Sequence, residues 1–368
     1  MLPTSERILL GPGPSLMSPR VMRALGAPML SHLDPQFLDI MDDLRARLAR
    51  VCRAPEGALT LAVSGTGTAA METAVANLVA PGTRVLSVVT GYFADRLAQM
   101  CTRYGATVTR VEAAWGRAID PEAVRRALEA AGADIVTIVH AETSTGVLNP
   151  IQAVAAMAHE RGALVIVDAV TSLGGMPLDV AGWGLDAVYS CSQKCLGAPP
   201  GVSPIVFSPA ALARKVACRS FYFDLGLLED YWVRRKYHHT MSASLIYALR
   251  EAVVATEEEG LEARWARHER HHRRLVAGLD AMGLSLFPPE GERLWTLNAI
   301  RVPAGVDEAA VRKDLLQRHN MEIGAGLGPL AGQIFRVGLM GASSSPELVD
   351  LCLKALGEAI SAQDGGKS

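Results

Sequence analysis

The sequence predicts an α/β protein: a large, mostly parallel sheet with helices on both faces, followed by a smaller C-terminal α+β unit. Three observations predict it. From about Leu59 to Ser208, short apolar runs alternate with longer amphipathic or Ala-rich ones, which is the rhythm of βαβ units. The short runs are apolar nearly throughout, as strands covered on both faces are. After Ser242 the rhythm gives way to a helix-like segment through Glu259, an interruption at Gly260 and a strongly charged stretch from Leu261 to Leu275.

Taken in order, strands are expected at Leu59 to Val63, Arg84 to Val89, Val108 to Val111, Ile135 to Val139, Leu164 to Val167, Ala187 to Tyr189 and Pro204 to Phe207. Between them, Thr68 to Val79, Phe93 to Arg103, Pro121 to Ala131 and Ile151 to Arg161 have helical length and composition, and several stop at Gly or Pro. The remainder reads as a strand at Leu297 to Val302, helices at Asp307 to Arg318 and Pro346 to Ile360, and a polar tail after Ser361. A chain of 368 residues exceeds what one core fills. The expected organisation is an N-terminal arm over residues 1–17, a large domain over 18–258 and a small domain over 259–368.

Composition narrows the function classes. Hydrophobic residues make up 49% and charged ones 20%, with a net charge of -2, so neither a nucleic-acid surface nor a polybasic membrane surface is expected. No apolar run approaches the roughly 18 residues that cross a bilayer. The six cysteines form no C-x-x-C pair, and Met1 to Arg7 lacks the charged and apolar blocks of a signal peptide. A soluble, cytoplasmic protein with reduced thiols and a small, mixed-charge ligand is the expectation.

The run Leu164 to Val167 ends at Asp168, at the carboxyl edge of the sheet, where open α/β folds hold ligands. Downstream, Ser190 to Gly201 sets a single lysine, Lys194, in a turn-rich frame. A buried carboxylate needs a positive partner. Pyridoxal 5'-phosphate offers one in its protonated ring nitrogen, and its aldehyde needs a lysine amine, so Asp168 and Lys194 fit the two ends of one cofactor. Each also has a plain structural use, as a helix cap and as a solvated loop residue.

Other motifs converge on the same edge. Ser64-Gly65-Thr66-Gly67-Thr68 opens a helix after a strand, which serves either a phosphate or an ordinary capped helix; it is neither a Walker A nor a dinucleotide fingerprint. Phe93 follows a strand end, where it can stack on a flat ring or pack in the core. His140 to Gly146 carries small hydroxyls that can bind a phenolic oxygen or merely turn the chain. Arg336, between apolar neighbours, calls for a carboxylate, from a substrate or from the chain itself. His268, His271 and His272 have ligand-like spacing but sit among five arginines, so they are expected on a solvated helix face, with no metal. Cys191 and Cys195 are expected as packing residues.

The ordered set Ser64 to Thr68, Phe93, Asp168 and Ser192-Gln193-Lys194 resembles the class V aminotransferases, a branch of the fold-type I PLP enzymes. The likeness extends through Leu9 to Pro14, His32 to Pro35, Glu142 to Val147, Ala198 to Gly201, Tyr237 to Thr240, Ile323 to Leu330 and Arg336 to Gly341, and is strongest to the alanine–glyoxylate and serine–glyoxylate group. It covers nearly the whole chain. It implies a seven-stranded sheet and a division of labour: Lys194 binds the cofactor as a Schiff base and later moves a proton, while Asp168 keeps the pyridine nitrogen protonated. Phe93, where relatives often have Trp, stacks on the ring and Val170 presses on its other face. Ser144 approaches the phenolic oxygen and the substrate. Thr66, Gly67, Thr68 and Gln193 hold the phosphate, Tyr237 and Thr240 reach the phosphate of the neighbouring subunit of a homodimer, and Arg336 clamps the substrate carboxylate. His238 and His239 are then structural. The implied reaction is ping-pong transfer from L-alanine to glyoxylate, with serine, ureidoglycine or pyridoxamine as other donors. A cysteine desulfurase would need a loop cysteine that the sequence does not offer, and a silent PLP-fold protein would have no use for Lys194, Asp168 and Arg336 together.

Overall fold

The computed structural model describes residues 6–364. Its centre is a seven-stranded sheet. In chain order the strands are β1 (Leu59–Ser64), β2 (Arg84–Val89), β3 (Thr107–Glu112), β4 (Ile135–Val139), β5 (Leu164–Asp168), β6 (Ala187–Tyr189) and β7 (Val202–Phe207). Across the sheet they lie in the order β1-β7-β6-β5-β4-β2-β3, and every pairing is parallel except the two made by β7. Strands β4 to β7 are buried along their whole length, which is why their sequences are continuous apolar runs. Edge strand β3 is mostly half-exposed and reads more polar.

Helices cover the sheet. They are α1 (Pro19–Leu25), α2 (Pro35–Val51), α3 (Gly67–Leu78), α4 (Tyr92–Arg103), α5 (Pro121–Ala131), α6 (Ile151–Glu160), α7 (Pro209–Ala213), α8 (Leu225–Trp232) and α9 (Ala243–Glu259). Helix α2, which no expectation covered, starts from Asp34, whose carboxylate accepts from the Gln36 N–H at 2.8 Å, with Pro35 at the first helical position. It buries Phe37, Met41, Leu44 and Leu48 in the main core, which runs from Val21 to Val253.

Beyond Gly260 the chain builds a second core. Helices α10 (Leu261–Ala281), α11 (Glu308–Arg318) and α12 (Pro346–Asp364) pack with strands β8 (Leu297–Arg301), β9 (Gly324–Ala325) and β10 (Ile334–Gly338), which form an antiparallel sheet. Helix α12 continues to Asp364, past the point where a polar tail was expected. The N-terminal arm belongs partly to this second core. Ile8 and Leu9 pair in parallel with Met321 and Glu322, and Leu10 is fully buried among residues of α10 and β10; residues 1–5 of the expected arm lie outside the described residues.

The strand order reverses direction between β4 and β2, because the chain proceeds from β2 outward to β3 but from β4 through β5 to β6 the other way. The carboxyl ends of β2, β4 and β5 therefore diverge into a crevice at this switch point, the place where such folds bind ligands.

Candidate active site

A cavity of about 170 Å3 occupies that crevice, walled by Thr66, Phe93, Thr143, Asp168, Val170 and Lys194 among others. Two larger hollows of about 600 Å3 lie elsewhere, along α2 and α9 and along α10. Chemistry rather than volume selects the smaller one.

One end is an anion cradle. The turn after β1 delivers Thr66, Gly67 and Thr68 to the start of α3, where the first N–H groups have no intrahelical acceptor and the helix end is positive. The Thr66 hydroxyl does not cap its own helix and is free for a ligand. Gly67 must be small, since a Cβ there would stand 3.0 Å from Val170 Cγ2 and 3.4 Å from Cys191 Cβ. Gln193 lines the same end, and its buried amide oxygen has no hydrogen-bond partner.

At the other end, Asp168 sits 3% exposed at the tip of β5. One of its oxygens accepts from the Val170 N–H at 2.8 Å, and the other from the Tyr189 hydroxyl at 3.0 Å. No cation of the described residues pairs with it. Burial pushes its carboxyl up to about 7, against the pull of those two donors. Lys194 is also buried, its amine donating to the Pro12 carbonyl of the N-terminal arm, and burial lowers its pKa. Ser15 of the arm fixes the same loop by donating through Oγ to the Lys194 carbonyl at 2.7 Å. A buried amine gives up its proton more easily than a solvated ammonium, and the neutral amine is the nucleophile.

Arg336, from β10, reaches this region from the second core. It is 5% exposed, donates through Nε to the Ala325 carbonyl at 2.6 Å and through Nη1 to the Thr143 carbonyl at 3.2 Å, and has no carboxylate within ion-pair reach among the described residues. Burial lowers its pKa to about 10, which marks a guanidinium short of an anion.

The structure brings eight of the expected residues to this cavity, while Arg336 stands behind Thr143 and does not line it. Thr66, Gly67, Thr68, Phe93, Asp168, Val170, Gln193 and Lys194 all line the cavity. Ser144 does not. Its hydroxyl donates to Glu142 Oε1 at 2.6 Å and accepts from the Tyr92 N–H at 3.0 Å, so it points into the protein, and its neighbour Thr143 takes the cavity wall instead. Tyr237 is 61% exposed and Thr240 is exposed, and neither touches this cavity. His239 is buried with Nε2 2.8 Å from Ser64 Oγ, and burial lowers its pKa to about 4, which makes it structural. Sequence reasoning missed Arg96, which lines the cavity, donates to Thr68 Oγ1 at 3.2 Å and lies 5.1 Å from the centre of the Phe93 ring. It also missed Tyr189, which lies directly opposite Asp168 on the neighbouring strand β6; its place at the end of a buried apolar run gave no hint of a polar role.

The histidines of α10 depart from the solvated face expected of them. His268, His271 and His272 are buried, not solvated, and so is Arg264. His268 Nδ1 lies 2.8 Å from the Arg264 carbonyl and its Nε2 accepts from the Gly341 N–H at 3.2 Å. Arg264 donates to the carbonyls of Gly174 and Cys195 and pairs with Glu259 at 2.7 Å. Among the described residues, no cluster could hold a metal. Cys191 and Cys195 are buried thiols pushed up to about 12, as packing residues would be. No helix of the described residues is long and apolar enough to cross a membrane.

Comparison with known proteins agrees with this geometry. The family model for Aminotransferase class-V matches residues 17–339. An alanine–glyoxylate aminotransferase of Drosophila melanogaster is 39% identical over 96% of this chain and 92% of its own. The (S)-ureidoglycine–glyoxylate transaminase of Bacillus subtilis is 36% identical over 96% of this chain and 90% of its own. The crystal structure of an alanine–glyoxylate aminotransferase from Nostoc sp. superposes with a TM-score of 0.95 at 45% identity, covering 97% of this chain and 96% of that one.

Proposed function

We propose that this chain, which belongs to the class-V aminotransferase family, transfers the amino group of L-alanine to glyoxylate, giving pyruvate and glycine by a ping-pong mechanism. Membership makes it a pyridoxal-phosphate-dependent transaminase. One observation carries the reading: Asp168, Lys194 and Arg336 are buried around one crevice with no counter-ion from the described residues. A pyridinium nitrogen, an aldehyde and an α-carboxylate are the groups that would satisfy them.

The bound cofactor supplies an aldehyde that takes the amine and a protonated ring that accepts electrons from the substrate Cα–H bond. Thr66, Gly67, Thr68 and Gln193 would hold its phosphate, Asp168 its ring proton, and Phe93 and Val170 its two faces. The turn that carries Ser144, with Thr143 on the cavity wall, would approach the phenolic oxygen; the Thr143 hydroxyl itself lies 2.5 Å from that of Thr171. Lys194 would anchor the aldehyde and then carry a proton between the substrate Cα and the cofactor C4′, outward in one half-reaction and back in the other. Arg336 would hold the carboxylate of the donor and then of the keto acid through a bidentate pair. Tyr237 and Thr240, exposed in the single chain, would reach the phosphate of a second copy, so the working unit is a homodimer. A cytoplasmic setting is in keeping with the free state of all six cysteines.

The names of the Drosophila and Nostoc proteins support alanine as donor, and the Bacillus relative supports ureidoglycine as the second reading. The test is the visible spectrum of the purified protein. A band near roughly 400 to 430 nm that falls with L-alanine and returns with glyoxylate is the expected result. A band discharged only by another amino acid overturns the donor; no band after supplying the cofactor overturns the reading.

A further inference from the structure

Glu142 is a fully buried carboxylate that the reaction just described does not use. It sits just beyond β4, and all its contacts are with donors. Oε1 accepts from the Ser144 hydroxyl at 2.6 Å, the Ser144 N–H at 3.1 Å and the Phe93 N–H at 3.4 Å; Oε2 accepts from the Ala94 N–H at 3.1 Å. Phe93 and Ala94 open α4, so the carboxylate also meets the positive end of that helix. Ser144 completes the link by accepting from the Tyr92 N–H. The approach is so close that a Cβ on Gly91 would stand 2.6 Å from Glu142 Cγ. Accepting from four donors and donating to none favours the carboxylate form, while burial works against it and raises the pKa.

Three parts of the proposed machinery hang on this knot. Phe93 is carried by the helix end that Glu142 binds. Thr143 lies between Glu142 and Ser144, which are tied to each other. The Thr143 carbonyl in turn holds Arg336. We infer that Glu142, acting through Ser144, is a positioning residue that fixes the ring-stacking Phe93 and the carboxylate-binding Arg336 relative to one another. The inference rests on the transaminase reading of the crevice. Its negative charge also favours the cationic form of Arg336 and disfavours ionisation of Asp168, on which Lys194 and the Tyr189 and Val170 donors act in the opposite sense.

Two variants of the cofactor-loaded enzyme test it, Glu142→Gln and Ser144→Ala. In Glu142→Gln an amide NH2 replaces one acceptor oxygen, so the Phe93 and Arg336 geometry loosens. The expected results are a rise of about tenfold in donor KM exceeding any fall in kcat, weaker cofactor binding and an altered visible circular dichroism of the bound cofactor. The acid limb of kcat/KM should move to lower pH, because Asp168 loses a like-charged neighbour. General damage to the fold would not produce that direction of shift. In Ser144→Ala the KM and dichroism effects should recur, smaller, with the acid limb unmoved. If Glu142→Gln does not fold, Ser144→Ala alone decides. Wild-type KM and dichroism in the folded variants overturn the inference while the wild-type spectrum leaves the transaminase reading standing; a wild type with no cofactor band fails the reading first.

Discussion

Two regions of this molecule bury charge and nitrogen bases, and they do it in opposite ways. On α10, Arg264 is paired with Glu259 and donates to two carbonyls, His268 has partners on both ring nitrogens, His271 Nδ1 meets Ser344 Oγ at 3.0 Å and His272 Nδ1 meets Asn298 Oδ1 at 2.6 Å. In the crevice, Asp168, Lys194 and Arg336 have hydrogen-bond partners but no counter-charge of their own. Burial alone therefore says little about function. A buried charge answered within the chain, by a counter-ion as at Arg264 or by four donors and a helix end as at Glu142, is architecture, and one with neither is open to a ligand.

The largest expected effect breaks the crevice at its nucleophile. Lys194→Ala removes the amine proposed to move a proton at the substrate Cα, and kcat for alanine-driven pyruvate formation should fall by about 1,000-fold or more. The protein should still fold. A variant that transaminates at the normal rate would falsify the assignment of Lys194.

Exchanging the two arginines sharpens the comparison. Arg336→Lys keeps a charge but loses the planar fork, and the donor KM should rise by about a hundredfold with little change in melting temperature. Arg264→Met should do the reverse: KM stays near wild type while stability falls by about 2 kcal/mol, because two carbonyls lose their donor and Glu259 keeps Arg267. If Arg264→Met instead raised KM as Arg336→Lys does, the distinction between the regions would collapse.

The same contrast decides what the sequence could reveal. The sheet was legible because β4, β5 and β7 are buried on both faces and so must be apolar throughout. Asp168 was legible because it ends β5 beside the switch point, and Gly67 and Thr68 because they open α3; Lys194, in a turn, and Arg336, inside β10, needed the family resemblance. The turn after β4 was harder to read for a physical reason: three consecutive hydroxyl residues, Thr143, Ser144 and Thr145, occupy it, and composition does not say which faces the cavity. The α10 histidines were misjudged because the surrounding arginines dominate the local composition. Their spacing held the signal, since Arg264, His268, His271, His272, Leu275 and Leu279 recur at helical period and form one buried stripe. The role of Glu142 was invisible because two of its four donors are backbone N–H groups of a helix about fifty residues away.

A smaller effect comes from the unneutralised Asp168. Its carboxyl is held at about 7 in the free protein, so as pH falls through 7 it protonates and no longer attracts a pyridinium nitrogen. Cofactor affinity, measured by fluorescence titration of the cofactor-free protein, should weaken by up to about tenfold per pH unit below 7. Asp168→Asn should bind weakly at every pH with a flatter profile. A wild-type affinity independent of pH between about 5 and 7 would remove Asp168 from its role.

The smallest effect tests α10 by the sign of its pH dependence. His268 is lowered to about 3 by burial from an ordinary 6.5, so the unfolded chain takes up its proton first as pH falls, and the stability that the neutral ring contributes drains away from about 6.5 downward. Asp168 runs the other way in the cofactor-free protein: its folded pKa lies above the ordinary 3.8, so its contribution is complete below that value and is lost as pH rises toward about 7. Melting temperatures of the cofactor-free protein between pH 4 and 7 should separate the two. His268→Gln, which can still accept from Gly341, should flatten the acid loss of stability and leave donor KM unchanged. Asp168→Asn should instead flatten the opposing trend at the upper end. A His268→Gln protein whose melting temperature follows the wild-type pH curve would show that the buried ring is not the neutral structural base that its two hydrogen bonds require.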